Sequence, residues 1–183
     1  MANIVFSPKQ FGSVSEWNRS DILRKTDPVA LYISRYQNPG DVFRSILQFD
    51  LGLLPGDQEY RISYLQLYIY RNQIINGAIR VNIHPVIEPW NQYSLNWDSQ
   101  PHFADPLQTI VIPAGWKGFI LFDISIIVRN WLEGSMENHG IIMTGDELHD
   151  NMLAFASSAC PERDKHPQLI LIPEESKPDY GLA

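Results

Sequence analysis

Arg44-Ser-Ile-Leu-Gln-Phe-Asp-Leu51 is the stretch on which the fold turns. Phe43, Leu47, Phe49 and Leu51 share one face of an extended chain, and Arg44, Gln48 and Asp50 share the other. Alternation with a period of two marks a strand with one buried face. Leu53-Leu-Pro-Gly56 supplies a turn signal. Arg61–Arg71 then returns as a second strand, and the short separation predicts that the two pair as antiparallel neighbours.

Arg61–Arg71 alternates as well. Leu65, Leu67 and Ile69 lie on one side; Tyr64, Tyr68 and Tyr70 lie on the other, with Gln66 among them. The second face is therefore an aromatic stripe. Further strands follow from the pattern: one or two peripheral ones within residues 2–17, then Val29–Ser34, Ala78–Ile87, Thr109–Ile112, Gly118–Ile124, His139–Thr144, Asn151–Ser157 and Gln168–Ile172. Pro85 places an edge or bulge at the end of its strand, and Asn18–Pro28 reads as a loop. One helix is expected, because Ile127, Val128, Trp131 and Leu132 recur at helical spacing, with Ser125 placed as N-cap and Gly134 as terminator.

Many short strands and one helix predict an all-β fold, a jelly-roll-like β-sandwich of two antiparallel sheets. At 183 residues one domain is expected, over residues 1–172, followed by a polar, proline-bearing tail at 173–183. The formal charge of −7 opposes a phosphate backbone, so no nucleic-acid partner is expected. No apolar run is long enough for a membrane span, and the first residues carry no recognisable N-terminal signal peptide. The single Cys160 excludes an internal disulfide and a cysteine-rich zinc site.

Catalytic signatures do not surface. There is no Gly-rich phosphate loop, no Gly-x-Ser-x-Gly elbow and no His-Glu-x-x-His pair, and the chain is read as a non-enzyme. Asp50 and Asp123 each follow a phenylalanine at a strand end, where an aspartate ordinarily caps or hydrogen-bonds. The loop carrying Asp146, Glu147, His149 and Asp150 offers oxygen ligands that could suit Ca²⁺, but it lacks the spacing of an EF-hand, and a solvated turn is the better reading. No cofactor is expected. Aromatic side chains remain, since sugar rings present apolar faces to them. Tyr64, Tyr68 and Tyr70 form one candidate platform, and Trp90, Tyr93 and Trp97 form another. The competing reading buries the tryptophans in the core.

Several segments resemble those of bacterial and archaeal DNRLRE-type domains. They are Arg44–Leu51, Leu65-Gln-Leu-Tyr-Ile-Tyr70, Trp90-Asn-Gln-Tyr-Ser-Leu-Asn-Trp97-Asp-Ser-Gln-Pro101, Phe122-Asp-Ile-Ser125, then Val128, Trp131, Gly134 and Asn138-His-Gly-Ile141, and finally Phe155-Ala-Ser157 and Pro167-Gln-Leu-Ile170. The resemblance implies a surface β-sandwich of jelly-roll type, some of whose relatives are carbohydrate-binding modules beside polysaccharide lyases. The chain departs from that pattern at Gln92, Ser94, Ser158 and Ala159.

Two functional expectations follow. The first is a structural subunit of a cell- or spore-surface layer or an extracellular filament. It would bind copies of itself through strand edges and termini, with Ile4 and Phe6 at the contact. The second is a carbohydrate-binding module that recognises a polysaccharide through Tyr64, Tyr68, Tyr70, Trp90 and Trp97.

Overall fold

The computed structural model describes residues 2–52, 54 and 59–174. Of the expected turn at Leu53–Gly56 only Leu54 is described, and the tail beyond 174 lies outside the described residues.

The chain is all-β. From the N-terminus the strands are β1 (Ile4–Phe6), β2 (Pro8–Ser15), β3 (Ala30–Arg35), β4 (Val42–Phe49), β5 (Tyr60–Asn72) and β6 (Ala78–Pro85). They continue through β7 (Gln108–Pro113), β8 (Gly118–Asp123), β9 (Ile141–Thr144), β10 (Leu153–Ala156) and β11 (Gln168–Pro173). Helix α1 (Leu23–Thr26) occupies part of the expected loop at 18–28, and α2 (Ser125–Leu132) is the expected helix, closed by Gly134 at φ +72°. A 3-10 turn spans Arg163–Lys165.

Every strand pairing is antiparallel. One group of strands is built around β5 and another around β4, and β3 belongs to both. They form one curled sheet in the order β1-β11-β5-β10-β3-β4-β9-β6-β7, with β2 beside β4 and β8 beside β5. The curl passes through β3. Its Ala30–Ile33 segment pairs with β10, and its Ser34–Arg35 end pairs with β4. Leu31 and Ile33 on β3, Leu47 and Phe49 on β4, Leu65, Leu67 and Ile69 on β5, and Val81 and Ile83 on β6 meet in one core.

Two expectations about β4 change. Its neighbours are β2, β3 and β9, not β5, which pairs instead with β8, β10 and β11. Alternation fixes which side of a strand is apolar but carries no information about its partner. The second face of β4 is also buried. Ile46 joins Val14, Val86, Leu95 and Ile142 in a separate apolar cluster, covered by Trp90, Trp97 and Phe103. The strand around Pro85 is interior as well, since β6 lies between β7 and β9; the proline simply ends it.

The N-cap expected at Ser125 is displaced. Ser125 is the first helical residue, and its backbone N–H donates to Asp123 Oδ1 at 3.0 Å. Its hydroxyl donates to the same carboxylate at 2.5 Å and accepts the Ser63 N–H of β5 at 2.9 Å. The helix start is thus tied to the sheet by a two-residue relay. Among the described residues no helix is long and apolar enough to cross a membrane.

Candidate functional site

Strand β5 places the tyrosines. Because Leu65, Leu67 and Ile69 are drawn into the core, Tyr64, Gln66, Tyr68 and Tyr70 must point outward, about 7 Å apart along the strand. On one side β8 lies in register, with Tyr68 opposite Phe119, Gln66 opposite Leu121 and Tyr64 opposite Asp123. On the other side β11 sets Gln168 beside Gln66 and Ile170 beside Tyr64, and β1 adds Val5 beside Ile170. In β8 the alternation again separates the faces: Phe122 is buried, whereas Phe119 and Leu121 are each 46% exposed.

The outcome is a broad outer face on which apolar groups alternate with amides. Tyr68 meets Phe119 edge-on, with ring centroids 5.1 Å apart and an interplanar angle of 78°. Lys165 Nζ stands 4.7 Å from the Tyr68 centroid and binds Glu162 Oε1 at 2.5 Å. That carboxylate raises the lysine pKa above its ordinary value. Gln66 Nε2 donates to Gln168 Oε1 at 3.4 Å, a long contact. At the far end, Tyr70 is 38% exposed and lies beside Tyr32. Tyr32 in turn donates to Asp27. Burial, then the Asp27 hydrogen bond, pushes the Tyr32 pKa upward, and burial also raises that of Tyr70. Both are neutral donors at physiological pH. Lys165 covers part of Tyr68, so Phe119 and Leu121 supply the open apolar surface, with Tyr64 and Tyr70 flanking it.

The second candidate platform is built differently. Trp90 and Trp97 are half-buried and close the small cluster over the outer side of β4. The Trp90 indole N–H donates to the His139 carbonyl at 2.8 Å. Gln10 and Gln92 stitch the 90–92 segment along β2, through Gln10 Nε2 to the Trp90 carbonyl at 3.1 Å and the Phe11 N–H to Gln92 Oε1 at 3.2 Å. The Trp97 ring is covered by Arg44, which also approaches Phe103 and is held by Glu147 and Gln100. These tryptophans do packing work, and the structure does not bring them to the tyrosine stripe. Tyr93, between them, is exposed.

In the acidic loop the carboxylates have protein partners. Asp146 accepts the N–H groups of Leu148 and His149 at 2.9 and 3.0 Å and the Asn151 amide at 3.2 Å, with His149 Nδ1 at 3.0 Å. Burial works to raise its pKa, but these hydrogen bonds together hold it below the usual range. Glu147 binds Arg44 and Asp150 binds Arg35 at 2.9 Å. Among the described residues no group of three or more His, Cys, Asp or Glu is placed to hold a metal ion.

Ile4 and Phe6 turn onto the chain's own core, and Val5 is the exposed residue of β1. Sequence reasoning missed Phe119, Leu121, Gln168 and Lys165. Phe119-Ile-Leu-Phe122 is apolar on both faces, which is a signal of its own. Its pairing with the tyrosine strand some fifty residues earlier leaves no local trace.

The family model described as carbohydrate-binding module family 96 matches residues 27–173. No curated protein matches the chain.

Proposed function

Because the chain belongs to carbohydrate-binding module family 96, we propose that it is a non-catalytic module that binds polysaccharide outside the cell through the outer face of β5, β8 and β11. The observation that carries this reading is the register of β5 with β8, which lines Phe119 and Leu121 up against Tyr68 and Gln66 on one exposed surface. Large apolar groups left open on a sheet face, interleaved with hydrogen-bonding side chains, match a sugar ring, which has an apolar face and a polar rim. Trp90 and Trp97 support the fold, and the self-associating subunit has no observation in its favour, since Ile4 and Phe6 are engaged within their own chain.

Affinity gel electrophoresis over a panel of soluble polysaccharides, followed by calorimetry on the polymers that retard the protein, tests the proposal. Phe119→Ala is expected to weaken binding at least about tenfold, equivalent to about 1.4 kcal/mol, with an unchanged melting temperature. Undiminished binding by a folded Phe119→Ala, Tyr68→Ala double variant would overturn the site.

A further inference from the structure

We propose that Trp116, on the turn between β7 and β8, is a further sugar-stacking residue that carries the apolar surface beyond Phe119, so that the site takes a run of several sugars. The inference rests on the reading of the outer face of β5 and β8 as the carbohydrate site.

Trp116 is open to solvent on a backbone that is tied down. The residue is 49% exposed and stands two positions before the start of β8. Asn72, at the end of β5, donates its side-chain amide to the Pro113 and Trp116 carbonyls, each at 3.0 Å. The same side chain accepts the Ile74 N–H at 3.1 Å. The Trp116 N–H closes the turn onto the Pro113 carbonyl at 3.3 Å, and the Ala114 N–H donates to the Gly77 carbonyl at 2.8 Å. The turn is thus fastened both to the end of β5 and to the residue before β6. A large aromatic residue on a fixed backbone has little freedom left to lose when a ligand covers it.

Its place in the chain continues the apolar row of β8. Leu121 and Phe119 are outward residues two apart, about 7 Å along the strand, and Trp116 follows three residues beyond Phe119. From Leu121 to Trp116 the chain covers at most about 17 Å, which is longer than one sugar ring. The pairing of Ile69 with Gly118 brings the exposed Tyr70 level with the same turn. Exposed apolar groups that follow one another in this way mark a binding surface, whereas a lone one does not. The other tryptophans lack this setting. Trp17 is exposed, but it follows β2, which pairs with β4. Trp90 and Trp97 are half-buried over β4, and Trp131 is buried.

The test starts from affinity gels with alginate, polygalacturonate, a mixed-linkage β-glucan, a galactomannan and an arabinoxylan. Calorimetry then follows binding of a size series of oligosaccharides cut from the polymer that retards the protein. Trp116→Ala should weaken binding of the polymer and of the longest oligosaccharides about tenfold, as the loss of an aromatic anchor does, and leave that of the shortest bound ones unchanged. Trp17→Ala should leave every affinity unchanged. A second measurement keeps the tryptophan in place. In Trp17→Phe, where Trp116 is the exposed tryptophan that remains, the polymer should protect the fluorescence from acrylamide quenching. Unchanged affinities in Trp116→Ala, with binding lost in Phe119→Ala, would overturn the inference and uphold the site. Equal losses on short and long oligosaccharides would also overturn it, as would quenching in Trp17→Phe that the polymer does not reduce. No retardation of the wild-type protein by any of the polymers would overturn the carbohydrate reading together with it.

Discussion

The Arg44 guanidinium lies 4.7 Å from the centroid of the Trp97 ring, while its Nε and Nη2 donate to the two Glu147 oxygens at 2.7 and 2.9 Å. Three segments distant in sequence, β4, the 88–106 connection and the 145–150 loop, are closed around one side chain. Both members of the ion pair are mostly withdrawn from water, so loss of one leaves the other poorly solvated. Arg44→Ala should therefore cost about 2–4 kcal/mol, from the charged hydrogen bonds and the cation–π contact together. Arg44→Lys should recover only part of this, because an ammonium cannot form the two-pronged contact. Urea denaturation of the three proteins measures the difference, and polysaccharide affinity should not change in the folded variants.

Among the described glycines, Gly140 makes the tightest approach to another backbone. A β-carbon there would sit 2.2 Å from the Leu47 carbonyl oxygen and 3.0 Å from the Gln48 α-carbon, and the residue has φ +92°. Backbone cannot swing aside as a side chain can. Gly140→Ala should lose about 3 kcal/mol or more, from the strained φ and the displaced strand, seen as a fall in the urea midpoint. A loss below about 1 kcal/mol would mean that β9 moves away from β4 freely.

His84 gives the protein a pH dependence above the carboxylate range. It is buried, Nδ1–H donates to the Ala104 carbonyl at 2.9 Å, and Nε2 accepts from Thr144 Oγ1 at 3.0 Å, so the neutral ring is fully used. Burial lowers its pKa below the ordinary 6.5, against the opposing effect of the hydrogen bond it donates to the Ala104 carbonyl. The unfolded chain then binds the proton more readily than the folded one. Stability is complete above the unfolded pKa and falls as pH drops through that value toward the folded pKa. The melting temperature should decrease from pH 7 to pH 5, and His84→Gln should flatten that slope whatever its effect at pH 7. The carboxylates with lowered pKa values, Asp50, Glu88 and Asp146, contribute their own loss only at lower pH.

The helix start offers a pair of substitutions with distinct outcomes. Asp123→Ala removes the acceptor of the Ser125 N–H and should cost about 1 kcal/mol, as the loss of a cap does. Ser125→Ala strands the Ser63 N–H, on a residue 2% exposed, and should cost about 1–3 kcal/mol. Thermal melts of both variants and of the double variant should show less than additive losses, because the two side chains act in one relay.

Much of the fold was legible where a residue's own neighbours decide its state. The Leu65, Leu67, Ile69 alternation against Tyr64, Tyr68, Tyr70 reports the sides of β5 correctly, and Gly134 ends α2 where its freedom at positive φ is needed. What depends on distant segments was not legible. Ile46 sits on the face of β4 that carries Arg44 and Gln48, and only the arrival of Leu95 and the two tryptophans makes that face apolar. For the same reason half of the candidate site was visible: the tyrosines declare themselves by alternation, whereas Phe119 becomes their partner through a strand register that local pattern does not encode.

The pairing of β1 with β11 sets how the domain would carry a load. Ile4 lies opposite Leu171 and Phe6 opposite Leu169, so the strands run antiparallel, with residues 2 and 3 on the same side as Ile172 and Pro173. Tension applied through the two ends would open this ladder from one end, a pair of residues at a time, like a zipper. The bonds would break in sequence and never be sheared together. Pulled from both ends, the domain should release its first strand at low force while the curled sheet behind it, joined through β3, stays closed.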